Sequence, residues 1–559
     1  MEVMRRPHDA IGQHEGPSIP RGEEMRKEET VSGKAMVSIA LVAVLGLGSS
    51  AQAAWVTIHN DFYWGDQNGE KIQTRSGTLR KFGNTYYWYG GAEGFRNQIC
   101  YTSTDLGSWT KKGTVLALST DANRIDVLYN ESTRQYVMVM KYDGNGAHLA
   151  MATSPTPDGQ FTFKGQTLLD DALMGDMSVF KDTDGRAYLA AVSWKTGTNA
   201  QHGIWLLSPD YLTVERRVFL WNTGGREAPM IFKRNGIYYY ATSATDWTVS
   251  TKTQYYSATN LAGPWSDLTS LQMGESPNSW DSQCDFVLPL KGPKDSMYLY
   301  AGDRWEKPDP RREGDYVWLP MSFKGDSPVV DYHQDWDLNL EAGTWRPFDG
   351  NRNLAKRKPS AASSVNGANA ANNVTDSATM MDYLNTRWES AASDPQWIRV
   401  DLGSSMDINR VILKWHENYG RSFKIQVSND ASAWTDVYGT TRGLTRSVTD
   451  VTFNRTSARY VRMLGTQRGT SNGYSLFDFM VLNDVPEVVS VSGRQRKNPS
   501  MATLTLKSGI QSYSLSDATR AGLEVFDFCG KSRKIFADGY QRAGRHDVAI
   551  SGIAVLRGR

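Results

Sequence analysis

Tyr86-Tyr87-Trp88-Tyr89 is an aromatic strand pattern that returns as Arg134-Gln135-Tyr136-Val137-Met138 and Gly185-Arg186-Ala187-Tyr188-Leu189. Two further copies follow, Gly236-Ile237-Tyr238-Tyr239-Tyr240 and Ser296-Met297-Tyr298-Leu299-Tyr300. Each copy has a Gly or polar turn just before it, and the copies stand about fifty to sixty residues apart. Some are trailed by a Ser-rich strand and turn, as in Ser103-Thr104-Asp105-Leu106 ending at Trp109 and Ser257-Ala258-Thr259-Asn260-Leu261 ending at Trp265. Five units of that length, each holding several short strands, predict a five-bladed β-propeller over residues 54–350. A radial arrangement protects strand edges and leaves a central funnel that inner strands can line with polar groups. The competing arrangement is a pair of β-sandwiches.

Downstream of Trp345-Arg346-Pro347 the composition shifts to Ala, Ser and Asn. Alternating strands then follow: Gln396 to Gly403, Val411 to Trp415, Ser422 to Ser428, Arg459 to Met463 and Leu476 to Phe479. They predict a jelly-roll β-sandwich over 354–484. Residues 485–500 read as a polar linker, and 501–559 as a small Ig-like β unit serving as a sorting or spacer module. The whole chain is expected to be all-β.

Upstream, the one long apolar run is Met36 to Leu47, and it leads into Ala51-Gln52-Ala53. A short hydrophobic region ending in Ala-x-Ala reads as a secretory signal, so 1–53 is an N-terminal extension with a signal peptide. The run is too short for a membrane span. These features predict an extracellular or cell-surface bacterial protein, monomeric and without a membrane span. Net charge is +2 with both signs intermixed, which argues against a nucleic-acid partner. Cys100, Cys284 and Cys529 allow at most one disulfide and show no metal-ligand spacing. The 18 Trp and 26 Tyr suit a carbohydrate ligand, whose flat ring faces stack on aromatics, although most such rings fill cores.

On a propeller, polar side chains that converge at the axis come from the inner strands, which precede the aromatic ones. Asp176 in Gly175-Asp176-Met177, Glu227 in Arg226-Glu227-Ala228-Pro229 and Gln283 in Ser282-Gln283-Cys284 occupy such places. Asp126 in Arg124-Ile125-Asp126 has a similar place in the second unit. Each is flanked by apolar strand residues, so a polar side chain there requires partners or a function. The structural alternatives are a carboxylate bonded to Arg226 or to turn amides, an Asp capping a turn, and an amide bonded to backbone.

The first half resembles glycoside hydrolase family 43. The likeness is carried by Asp66-Gln67-Asn68-Gly69, Tyr86 to Gly90, Arg124 to Asn130, Gly175 to Gly185, Arg226 to Lys233, Gly302-Asp303-Arg304-Trp305 and Tyr316 to Pro320. It looks closest to the exo-β-1,3-galactanase branch. That resemblance implies an inverting hydrolase in which Glu227 is the general acid, Asp176 tunes its pKa and orientation, and Gln283 orients the water. Asp126, Tyr89, Trp247 and Arg304 are expected to contact substrate. Two departures stand out: Thr74-Arg75-Ser76-Gly77 where the branch tends to have His-Gly-Gly-Gly, and Tyr89-Gly90-Gly91 where it often has Tyr-Gly-Glu.

The sandwich resembles the F5/8 type C, or family 32 carbohydrate-binding, fold through Asn385 to Trp388, Gln396 to Gly403 and Gly473 to Phe479. The resemblance implies a structural Ca²⁺ near Asp376 and Asp478. Sugar contacts are expected from Trp415, Glu417, Arg468 and Tyr474, each of which could equally be packing. Catalysis itself is expected to need no cofactor. The expected activity is therefore hydrolysis of β-galactosyl linkages in plant-type polysaccharide, galactan or related hemicellulose and pectin side chains. The alternatives are an arabinofuranosidase or β-xylosidase of the same family, or a catalytically inactive carbohydrate-binding protein.

Overall fold

A computed structural model describes residues 55–484 apart from 93, 143–146, 195–199, 223, 247–248, 292–295, 308–311, 313 and 377–385, together with the backbone of six strands between 502 and 558. The signal segment and the linker lie outside the described residues. Five antiparallel sheets contain four consecutive strands each, hydrogen-bonded in chain order. Their first strands are Arg75–Phe82, Ala122–Asn130, Leu173–Lys181, Arg226–Arg234 and Gln283–Lys291. The aromatic repeat forms the second strands, Thr85–Gly91, Gln135–Tyr142, Ala187–Trp194, Ile237–Ala244 and Ser296–Asp303. The tight turns between first and second strands require left-handed backbone, which Gly185 (φ 84°) and Gly236 (φ 82°) supply without steric penalty. The first strands adjoin one another in order, and the fifth lies against the first.

The expectation of five blades is corrected to six. A sixth, three-stranded sheet joins Trp55–His59 to Asp335–Asn339 and Thr344–Pro347. Its Ile58, Trp336 and Leu338 pack into the apolar cluster shared by the first and fifth four-stranded sheets. The repeat could not reveal it, because its strands come from before the first unit and after the last and carry no copy of the aromatic pattern. Trp88, Trp205, Trp318 and Trp336 are fully buried between sheets, so much of the aromatic content is core.

Seven strands between Ser360 and Leu482 form one continuous antiparallel assembly. Its spine is a pair of long strands, Gln396–Trp415 and Val448–Arg468, whose register breaks between Asp401 and Met406 and between Ile408 and Arg410. Such breaks bend a ribbon and let it wrap a core, here Trp388, Ile398, Trp415, Phe423 and Leu476. The backbone of 502–558 forms two three-stranded sheets. No helix among the described residues is long and apolar enough to cross a membrane.

Charged side chains join the sixth sheet to the sandwich. His59 places Nδ1 2.6 Å from Asp335 and Nε2 3.1 Å from Asp450, contacts that are both satisfied only when both ring nitrogens carry protons. Lys414 donates to Asp335 at 2.6 Å. Arg410 reaches Asp450 at 2.7 Å, Asp484 at 2.7 Å and the Thr57 hydroxyl at 2.7 Å. Burial opposes charging His59, but its two carboxylate partners outweigh that and raise its pKa. Asp335 and Asp450 would likewise be raised by burial, and Lys414, Arg410 and His59 hold them well below the usual carboxylate range.

Candidate active site

All five first strands break register once, close to their beginnings. The breaks fall between Arg75 and Thr78, Asn123 and Asp126, Met174 and Met177, Glu227 and Met230, and Cys284 and Phe286. A β-bulge inserts an unpaired residue and re-aims the side chains beside it. Ser76 (φ 54°), Arg124 (φ 48°) and Ala228 (φ 48°) occupy three of the bulges in left-handed conformations that L residues rarely adopt. Asp176 and Asp285 occupy the other two. Polar groups from five sheets thereby meet at one end of the inner strands.

Arg124 is the hub of this cluster. Its Nη2 donates to Gln283 Oε1 and lies 3.0 Å from Asp176 Oδ2, and its Nη1 donates to Asp285 Oδ1 at 2.7 Å. Gln283 Oε1 also accepts from the Trp305 indole at 3.0 Å, so the amide is held one way round. That leaves Gln283 Nε2 to donate to Glu227 Oε1 at 2.6 Å. Asp176 accepts further from Lys141 Nζ at 3.3 Å and from the Ala228 amide at 3.2 Å.

Electrostatics separate the two central acids. Burial would raise Asp176, but Arg124 and Lys141 outweigh it and lower its pKa to about 2. Glu227 is pushed up to about 7 by burial and then by the Asp176 charge, which exceed the opposing effect of Arg124. A carboxylic acid that stays protonated near neutrality beside a permanently ionised one is an arrangement suited to proton donation. Beside them lie Asp285 and Asp303, both raised, chiefly by burial; Asp303's charge adds to the effect on Asp285. Asp303 accepts from the Ser76 amide at 2.5 Å, and the Ser76 hydroxyl accepts from the Arg124 amide at 3.0 Å.

The three residues expected to do chemistry, Glu227, Asp176 and Gln283, thus stand together. Most of the expected sugar contacts do not join them. Asp126 is clamped by Arg80 at 2.8 and 2.6 Å and accepts from the Val179 amide at 2.9 Å, tying the first, second and third sheets together. Tyr89 has no exposed surface and donates to the Pro157 carbonyl at 2.7 Å. Arg304 is equally buried, ion-paired to Asp61 at 2.9 Å. Trp415 and Tyr474 are sealed in the sandwich core; the Trp415 indole donates to Thr449 Oγ1 at 2.9 Å and the Tyr474 hydroxyl donates to Asp394. These five are corrected from sugar contacts to structural residues, because none can reach a ligand without leaving its packing. Arg468 reaches the surface, where it approaches Asp394 at 3.3 Å, and Glu417 is paired with Arg446 at 2.7 Å. Trp247 lies outside the described residues.

Arg124, Asp285, Asp303, Trp305 and Ser76 belong to the cluster and were not singled out from the sequence. All but Asp285 lie in segments quoted above for other reasons. Strand alternation puts Arg124 and Asp126 on one face, and the bulge between them sends Arg124 into the cluster and Asp126 between the sheets. Cys100 and Cys284 are buried free thiols, and Cys529 lies outside the described residues. As for calcium, Asp376 ends a short 3-10 helix and Asp478 lies 3.8 Å from the Lys414 ammonium, which already supplies positive charge there. Among the described residues no three His, Cys, Asp or Glu side chains gather as a metal site; residues 377–385, which follow Asp376, lie outside the described residues.

Residues 75–284 match the family model for glycosyl hydrolases family 43, and residues 349–463 match that of the NedA-like, galactose-binding domain. A curated relative, the β-D-galactofuranosidase xynD of Aspergillus niger, is 28% identical over 189 residues, which are 30% of this chain and 54% of the relative. The chain thus spans about half the length of that relative. Among solved structures, an exo-β-1,3-galactanase from Phanerochaete chrysosporium with β-1,3-galactotriose is 25% identical, over 76% of this chain and all of the other, with a TM-score of 0.49. A chitosan-binding module of a Paenibacillus sp. IK-5 chitosanase/glucanase is 47% identical over 24% of this chain and 98% of the module, with a TM-score of 0.22.

Proposed function

We propose that this chain, which carries a glycoside hydrolase family 43 domain followed by a galactose-binding domain, cleaves terminal β-galactosyl linkages of galactan-type polysaccharide with inversion. The observation that carries the reading is Glu227, held protonated to about pH 7 by its burial and by Asp176. Glu227 donates its proton to the leaving oxygen as the glycosidic bond breaks. Asp176, ionised throughout, keeps Glu227 from losing the proton early.

Inversion needs the acid and the attacking water on opposite faces of the sugar. The Gln283–Glu227 contact therefore opens when a sugar enters, freeing the amide to orient the water. The galactosyl preference is supported by the sequence likeness to the galactanase branch and by the matched galactose-binding domain. Secretion rests on the apolar run and Ala-x-Ala near residue 53, and recovery of the protein only from cells, with an N-terminus upstream of that point, would refute it.

Product analysis on β-1,3-galactan, with Glu227→Gln alongside, tests the proposal. Galactose from the parent, first appearing as the α-anomer by NMR, and loss of about 10²–10⁴-fold in the variant are expected. Release of arabinose or xylose from other polysaccharides instead would move the substrate within the family. Binding without release from any of them would identify a carbohydrate-binding protein.

A further inference from the structure

The last residues of the five second strands pair with the first residues of the inner strands, and so share the face on which the acid lies. They are Gly91, Tyr142, Trp194, Ala244 and Asp303, opposite Arg75, Ala122, Leu173, Arg226 and Gln283. Asp303 belongs to the charged cluster. Trp194 does the opposite: its side chain is turned out, and the residue is 48% exposed. Exposing an indole forgoes one of the largest apolar burials a side chain can make. Leu173, its partner across the ladder, is 38% exposed, so the two form a short apolar shelf.

The shelf adjoins the catalytic cluster through the backbone. A Cβ on Gly175 would stand 2.7 Å from Trp194 Nε1 and 3.0 Å from Val192 Cβ. Only glycine therefore lets the indole lie against the chain at the residue before Asp176. Asp176 in turn accepts from the amide of Ala228, the residue after Glu227. The exposed ring and the acid are thus linked by one bulge on each of two neighbouring strands.

We propose that Trp194 is a stacking platform for a sugar unit on the leaving-group side of the scissile bond. This rests on the reading of Glu227 as the acid, since the acid faces the leaving oxygen. A pyranose ring presents a flat face of C–H groups and a rim of hydroxyls, so it can cover an exposed indole without burying polar groups unpaired. Leu173 extends the apolar face, and the charged cluster beyond Gly175 receives the bond to be cut. Such a platform acts on chain length rather than on the hydrolysed sugar.

The test compares the parent protein, Trp194→Ala and Trp194→Phe. Affinity for β-1,3-galactotetraose is measured in the Glu227→Gln background, and turnover of β-galactosyl fluoride, which carries no ring on the leaving side, in the active one. Trp194→Ala is expected to weaken tetraose binding by about tenfold or more, with Trp194→Phe near the parent and galactosyl fluoride turnover within about twofold. An unchanged tetraose affinity would overturn the platform. An equal loss on both ligands would place Trp194 at the hydrolysed sugar and overturn the leaving-side assignment. Full turnover by Glu227→Gln alongside a Trp194→Ala binding loss would remove the acid and keep the platform. Because the residue is exposed, melting temperature should move little.

Discussion

Two buried charge clusters in this molecule are built to opposite ends. At the joint between the sixth sheet and the sandwich, Asp335 and Asp450 each face cations on more than one side and both are lowered. At the inner-strand cluster, Arg124 pairs with Asp176 and Asp285, Lys141 pairs with Asp176, and Glu227 is left with an amide donor and a negative neighbour. Buried ions are tolerated where each has its counter-charge. Leaving one acid without a counter-ion lowers stability when that acid ionises and makes it a proton donor near neutrality. The joint is a fastening; the cluster is a site.

Substitutions should separate the two. The largest effect is expected for Glu227→Gln, which should remove about 10²–10⁴-fold of kcat. A folded Glu carboxyl with a raised pKa lowers stability as pH rises from its unfolded value towards about 7. Glu227→Gln should therefore melt no lower than the parent at pH 8, which differential scanning calorimetry would show. Lys414→Met is the converse: it leaves Asp335 with His59 alone and should cost up to about 3–5 kcal/mol of stability, with kcat on galactan within about threefold if the joint is only a fastening.

A smaller effect concerns pH. The lowered Asp335 and Asp450 contribute stability that is present above their unfolded values and lost as pH falls through the folded ones. The raised His59 contributes stability that is fully present below its unfolded pKa of about 6.5 and lost as pH rises through its higher folded value. The joint is then firmest between about pH 4 and 6.5. His59→Gln should flatten the fall in melting temperature on the alkaline side, and an unchanged profile would separate His59 from the joint.

What the sequence revealed follows the same division. The four-stranded sheets were legible because each is a local run with its own aromatic strand and turn. The sixth sheet was not, since Trp55–His59 pairs with a strand about 280 residues later and repeats nothing. Glu227, Asp176 and Gln283 were legible as polar residues at the starts of strands that otherwise read apolar. Arg124 and Asp285 were hidden by bulges, which break the alternation on which face assignments rest. Tyr89, Trp415 and Tyr474 show the same limit from the other side: an aromatic residue in a strand does not disclose which face it serves, and here each serves a core.

The central claim is that Asp176 keeps Glu227 protonated, and the pH profile of kcat on β-1,3-galactan for the parent and Asp176→Asn tests it most directly. The parent should lose activity on the alkaline side with an apparent pKa near 7. Removing the negative neighbour should move that limb to lower pH, as the Arg124 charge is then no longer offset at Glu227 by Asp176. An alkaline limb that stays in place in Asp176→Asn, or one absent from the parent, would contradict the account.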